Sequence, residues 1–185
     1  MMNKIILILF IFFSSNNANA QLHDKFPFNE KGEIVYSEVV NIKGADKTDL
    51  YRKAKIFFVD DMLSTGNIVQ LDDKENGIII GKGFLTIPIQ NKKLSLPVNL
   101  HFTIKVEVKD DRYRYEIYSL RYETKATSFT AEELFAKEKS AEYKKAKKNA
   151  RDIADQYLDR TITVVDNIVA TLKEYMSSNN NKKDW

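Results

Sequence analysis

From Val98 to Lys109 the chain reads Val98-Asn99-Leu100-His101-Phe102-Thr103-Ile104-Lys105-Val106-Glu107-Val108-Lys109, with apolar and polar residues in strict alternation. A period of two over this length specifies a strand with one buried and one wet face. Asp110-Asp111 follows as a turn, and Tyr113, Tyr115 and Ile117 resume the alternation. A hairpin centred on that pair sets Val108 opposite Tyr113, Val106 opposite Tyr115 and Ile104 opposite Ile117. The other face checks the register, because it sets Glu107 beside Arg114 and Lys105 beside Glu116, opposite-charge pairs worth roughly 0.2–1 kcal/mol each. A slip of one residue would exchange the faces and lose both matches.

Working back from this hairpin, Asn91-Lys92 reads as a turn that sets Leu85 against Val98, Gly83 against Leu100 and Gly81 against Phe102. Phe102 would cover the gap over Gly81, and the two glycines would let a helix approach closely. A phosphate-cradling loop would need a third glycine and a helix start, and neither follows. Residues Asn67 to Asp72 form a further hairpin with the strand from Ile78, over Asp73 to Gly77, where Asn76-Gly77 supplies positive φ. Ser64 to Asn67 stops the preceding helix. That helix is capped by Asp46 and carries one stripe of Leu50, Tyr51, Ala54, Phe57, Phe58 and Met62. Glu33 to Ile42, rich in Ile, Val and Tyr, is the first strand; apolar residues on both its faces predict a place inside the sheet.

Beyond Glu123 the pattern turns helical. Thr130 with Glu133 makes a capping box, and helix is expected from about 131 to 176, with room for a break. Some 45 helical residues would reach roughly 68 Å, about twice the length of a ten-residue strand. Only the stripe from Ile153 to Met176 is dense enough to pack, so the basic half from Lys137 to Arg151 is predicted to project or break away. Residues 177–185 read as a disordered tail.

Composition suits one globular domain, with 43% hydrophobic and 30% charged residues among 185. The formal net charge of +3 is too small to imply an acidic polymer as partner. No cysteine occurs, which excludes disulfides, thiolate metal sites and cysteine catalysis within these residues. Lys4, the apolar run Ile5 to Phe13 and the closing Ala18-Asn19-Ala20 give the three parts of a secretory signal peptide in order. Cleavage after Ala20 is expected, releasing a periplasmic or secreted chain from Gln21 with no transmembrane segment.

These elements give an α+β architecture, β-α-β4-α, with a five-stranded antiparallel sheet and both helices on one face. With the signal segment, the helix stretch Tyr51-Arg52-Lys53-Ala54-Lys55, the strand Gly81-Lys82-Gly83 and the late helix Asp166 to Met176, the chain resembles the DUF4468 family of secreted bacterial proteins. The resemblance covers about residues 28 to 123, with the last helix completing the topology, and implies a TBP-like fold in a single domain spanning 21–176. It implies no catalytic residue. The fold is named for a DNA-binding protein, but fold does not carry function.

His101 is the one histidine inside the folded region, His23 lying in the lead. By the register above it faces the open side near Lys82 and Leu120, where Glu116, the nearest acid, is already paired with Lys105. A general base needs a carboxylate to orient it, and a metal site needs further ligands. The acidic pairs Asp60-Asp61, Asp72-Asp73 and Asp110-Asp111 lack the spacing of a calcium loop. Standard hydrolase and nucleotide motifs are absent. The basic residues from Lys137 to Arg151 lack interleaved aromatics, so a solvated helix face is expected rather than nucleic acid.

The expectation is therefore a non-enzymatic binding or accessory protein without metal or cofactor. Its docking surface would be the helix-free sheet face, with Ile78, Ile80, Phe84, Tyr118, Leu120 and Tyr122 emerging among Lys82, His101, Thr103, Lys105 and Glu116. Lys82, Phe84, His101, Tyr118 and Tyr122 are the candidate contacts, toward a peptide, a glycan or a protein. Two alternatives stand beside it: an assembly module that forms homo-oligomers through the long helix, and a hydrolase with an unfamiliar site, which a deep pocket pairing His101 with a carboxylate would favour. Residues 124–150 or a second copy are rival covers for the open face.

Overall fold

The computed structural model describes residues 26–62, 68–138 and 147–178. The expected signal segment, the helix stop at Ser64 to Asn67, residues 139–146 of the basic run and the tail from 179 lie outside them. The elements are β1 (Tyr36–Asn41), α1 (Lys47–Phe57) with one π-helical turn (Phe58–Met62), β2 (Ile68–Asp73), β3 (Ile78–Asn91), β4 (Leu94–Lys109), β5 (Arg112–Glu123), β6 (Ser128–Thr130), α2 (Ala131–Glu138) and α3 (Lys148–Ser177). The sheet is antiparallel in the order β1-β5-β4-β3-β2, and the short β6 pairs with the far end of β5.

The β4–β5 hairpin has the register read from its alternation: Val108 faces Tyr113, Val106 faces Tyr115, Ile104 faces Ile117, Glu107 faces Arg114 and Lys105 faces Glu116. The β3–β4 register differs by two residues. Its turn is Lys92-Lys93, with Asn91 opposite Leu94, so Phe102 lies across from Gly83 and Ile104 from Gly81. Lys92 takes φ +57°, the left-handed conformation that suits a two-residue hairpin to the twist of its strands. A shift of two leaves every side chain on its expected face. At the other hairpin Gly77 holds φ +73°, and Asp73 Oδ1 accepts from Asn76 N at 3.0 Å.

Among the described residues β1 is an edge strand rather than an inner one, joined to the sheet through β5 alone. Its two-sided apolar character has a local cause. Tyr36 and Val40 pack on the core, while Val39 is exposed on the other face. The lead before it is packed too: Phe28 bridges Ile34, Phe26 and Ile34 are buried, and Ile34 N donates to Glu132 Oε1 of α2 at 2.9 Å.

Asp46 caps α1 by accepting from Asp49 N at 2.9 Å, and Thr130 and Glu133 form the reciprocal capping box at 3.1 and 2.9 Å. The late helix is broken. Lys147, with φ −59° and ψ 145°, is extended, and α3 starts after it and runs 30 residues, about 45 Å at 1.5 Å each. Its buried stripe is Ala154, Leu158, Thr161, Val165, Ile168, Leu172 and Met176, whereas residues 147–152 are exposed.

Side-chain bonds from α1 and α3 to the sheet land on one face. Lys55 Nζ of α1 reaches Asp72 Oδ2 at 2.7 Å, where Tyr51 Oη also donates; Thr161 meets Tyr122; Lys173 Nζ reaches Glu38 Oε2 at 2.7 Å. Phe57 of α1 meets Tyr175 of α3 edge to face at 5.9 Å, a contact worth about 0.5–1.5 kcal/mol beyond burial. α2 rests against β5, β6 and α3, with Ala131 fully buried. Among the described residues the reverse face of the sheet carries no helix, and no helix is long and apolar enough to cross a membrane.

Candidate functional site

β5 does not alternate through to its end. His101 pairs with Arg121 but Thr103 pairs with Tyr118, so Ser119 and Leu120 together oppose Phe102 in a bulge. Ser119 takes φ +56° there. One extra residue exchanges the faces of everything after it. Leu120 and Tyr122, expected on the open face, are fully buried on the helical side, and Arg121 and Glu123 emerge in their place.

Tyr122 is thereby corrected from candidate contact to core residue. Its ring packs against Phe129 at 5.2 Å and Tyr157 at 4.9 Å, and its hydroxyl lies 2.6 Å from Thr161 Oγ1. Burial holds its phenol well above the ordinary range.

The bulge also supplies what His101 lacked. His101 Nε2 donates to Glu123 Oε2 at 2.6 Å, and its ring lies against Phe84, directly across the β3–β4 pair, at 5.3 Å and 38°. Glu116 is engaged elsewhere, as expected. Lys105 lies 4.0 Å from it, Arg114 lies 3.6 Å from it, and Arg114 Nη2 donates to Glu107 at 2.7 Å. That hydrogen bond holds the Glu107 carboxyl below the usual carboxylate range.

A second bulge lies across the sheet. Val69 pairs with Gly81 and Leu71 with Ile80, leaving Gln70 as the extra residue of β2. Between the two bulges the open face dips into a depression of about 450 Å³ lined by Gln70, Lys82, Phe84, His101, Thr103, Ser119 and Arg121, with Gly83 and Phe102. Lys82, Phe84 and His101 are thus brought together, Tyr118 stands half-buried beside Thr103 on the same face, and Tyr122 lies on the opposite side. Gln70, Ser119, Arg121 and Glu123 were missed by alternation alone. A signal for three of them was present: without a bulge, Ser119, Arg121 and Glu123 would point into the core. Among the described residues no group of three or more His, Cys, Asp or Glu side chains could hold a metal ion.

Residues 36–123, the span from β1 to the end of β5, match the family described as a domain of unknown function (DUF4468) with TBP-like fold. Within the chain, these residues form a DUF4468 domain. A crystal structure of a DUF4468 family protein from Bacteroides ovatus ATCC 8483 is similar to it, with a TM-score of 0.69 at 17% identity, over 85% of this chain and 93% of that one. A TBP-like protein from Parabacteroides distasonis ATCC 8503 gives 0.63 at 16% identity, over 82% and 97%. At such identities the likeness shows the fold: the DUF4468 domain is α+β and TBP-like, its antiparallel sheet backed on one side by helices. No curated protein matches the chain.

Proposed function

We propose that this DUF4468 protein is an exported, non-catalytic binding protein that docks its ligand on the open sheet face, at Lys82, Phe84, His101 and Tyr118. The observation that carries the reading is the Phe84–His101 ring pair set at a broad depression on a rigid, helix-free sheet. An aromatic wall beside polar groups suits a peptide segment or a glycan, whose contacts mix stacking with hydrogen bonds. The apolar stripe of α3 is spent on the chain's own core, which weighs against assembly through that helix. His101 is oriented by Glu123 as a general base would be, which keeps the hydrolase reading in view. The depression, however, is broad and open rather than deep and water-excluding.

The test is a panel of peptides and glycans measured against wild type and a Phe84→Ala/Tyr118→Ala variant whose circular dichroism and melting remain those of a folded chain. Weaker binding by the variant is expected, and equal affinity sinks the reading. Turnover of ester, phosphoester or glycoside substrates that disappears in His101→Ala would replace it with an enzyme. Export predicts a mature mass beginning at Gln21; an intact leader in the recovered protein contradicts it.

A further inference from the structure

The depression on the open face has a chemical bias that its aromatic wall does not explain. Its lining includes two cations, Lys82 and Arg121, together with the amide of Gln70 and the hydroxyls of Thr103 and Ser119, and no carboxylate. The Lys82 side chain makes no ion pair or hydrogen bond among the described residues. Arg121 spends Nη1 on Ser128 Oγ at 2.8 Å and commits no other guanidinium nitrogen among them. The Glu123 carboxylate, at the rim, is occupied by His101. Farther along this face Lys105 and Arg114 are matched against Glu107 and Glu116, whereas among the described residues Lys82 and Arg121 have no carboxylate facing them.

Both bulges serve this hollow. Gln70, the extra residue of β2, and Ser119, within the bulge of β5, line it from opposite sides, and Arg121 reaches it only because the β5 bulge exchanges faces. A serine at φ +56° in the body of a strand carries a backbone cost that glycine would avoid, and strain of this kind gathers where a site needs it. Bulges re-aim side chains at such places.

From this geometry we infer that the depression between the two bulges binds an oxyanion group, phosphate, sulfate or carboxylate, held by Lys82 and Arg121 with Gln70 and Ser119 as neutral donors. The inference rests on the docking reading above and names the chemistry of its ligand. Arginine presents planar paired donors that fit an oxyanion, and lysine adds a compact charge. The ring pair of Phe84 and His101 would then wall the neutral remainder of a larger ligand, such as an acidic sugar.

The experiment follows backbone amide resonances of the full chain during titration with inorganic phosphate, sulfate, glucuronate and glucose at matched ionic strength. Saturable shifts confined to Gln70, Lys82, Ser119 and Arg121 are expected with the anions and not with glucose. Phosphate and sulfate acting alone would mark a free-anion site; glucuronate binding more tightly would mark an acidic saccharide. The Lys82→Ala/Arg121→Ala variant, with both exchanges at exposed positions, should bind about tenfold more weakly or worse. Shifts that do not saturate, or that are unchanged in this variant, overturn the inference. Phe84-dependent binding of a neutral ligand with the anions silent would overturn it while leaving the docking reading intact. Anion shifts that persist in Phe84→Ala would support it even if the aromatic contacts fail.

Discussion

Replacing Tyr122 and Tyr118 by alanine, one at a time, tests the bulge on which the site depends. In a regular strand these residues, four apart, share a face and lose similar amounts of stability on truncation. With the bulge, Tyr122 is fully buried and Tyr118 is half-exposed on the other side. Removing a buried aromatic ring costs about 3–5 kcal/mol. The Tyr122 hydroxyl adds about 1 kcal/mol through its 2.6 Å bond to Thr161, whose own hydroxyl donates to the Tyr157 carbonyl at 2.8 Å. Tyr118→Ala should cost about 1 kcal/mol, slightly above an ordinary surface change. The expected gap is thus about 3–5 kcal/mol, which at a slope of about 2 kcal/mol per molar urea separates the two unfolding midpoints by about 1.5–2.5 M. Should Tyr122→Ala leave too little folded protein to titrate, Tyr122→Phe gives a second measure, expected to cost about 1 kcal/mol. Midpoints for Tyr118→Ala and Tyr122→Ala that coincide would refute the bulge and, with it, the placement of Arg121 and Glu123 beside His101.

Two glycines at positive φ make a matched pair: a Cβ at Gly77 would meet Val108 O at 2.8 Å and Lys47 Cε at 2.7 Å, whereas at Gly44 it would meet nothing within 4 Å. Gly44→Ala should cost about 1 kcal/mol for its φ of +82°, and Gly77→Ala about 1–3 kcal/mol more for the clash with backbone; equal losses by urea unfolding would contradict this. The Tyr113 hydroxyl is buried without a hydrogen-bond partner among the described residues, so Tyr113→Phe should raise stability by about 1 kcal/mol. Burial pushes that phenol from 10.0 up to about 12, so its contribution is complete below pH 10 and lost as pH rises toward 12. Urea midpoints between pH 8 and pH 11.5 should fall less steeply in Tyr113→Phe, and parallel curves would show that this phenol is not responsible.

Periodicity made most of the sheet legible. The alternation from Val98 through Ile117 fixed the faces of β4 and the first half of β5, and even the two-residue error at Lys92-Lys93 left those faces unchanged. Capping chemistry was equally local, so Asp46 and the Thr130–Glu133 box were readable where they stand. The edge position of β1 was not, because an edge strand packed by the lead and α3 on one side shows the same mixture of apolar residues as an inner strand.

The chain by itself therefore determined which segments are strands and helices and, through hydrophobic alternation, which side of the layer meets the helices. What only the packed molecule decided is the composition of the other side beyond Ser119. There the burial of Leu120 and Tyr122 under Thr161, Tyr157 and Phe129 is favourable enough to hold a serine at positive φ, and the same half-turn carries Arg121 and Glu123 out to Lys82 and His101. A single-residue exchange of faces is set by contacts with elements far along the chain, and the alternation around it carries only the trace of where those contacts fall.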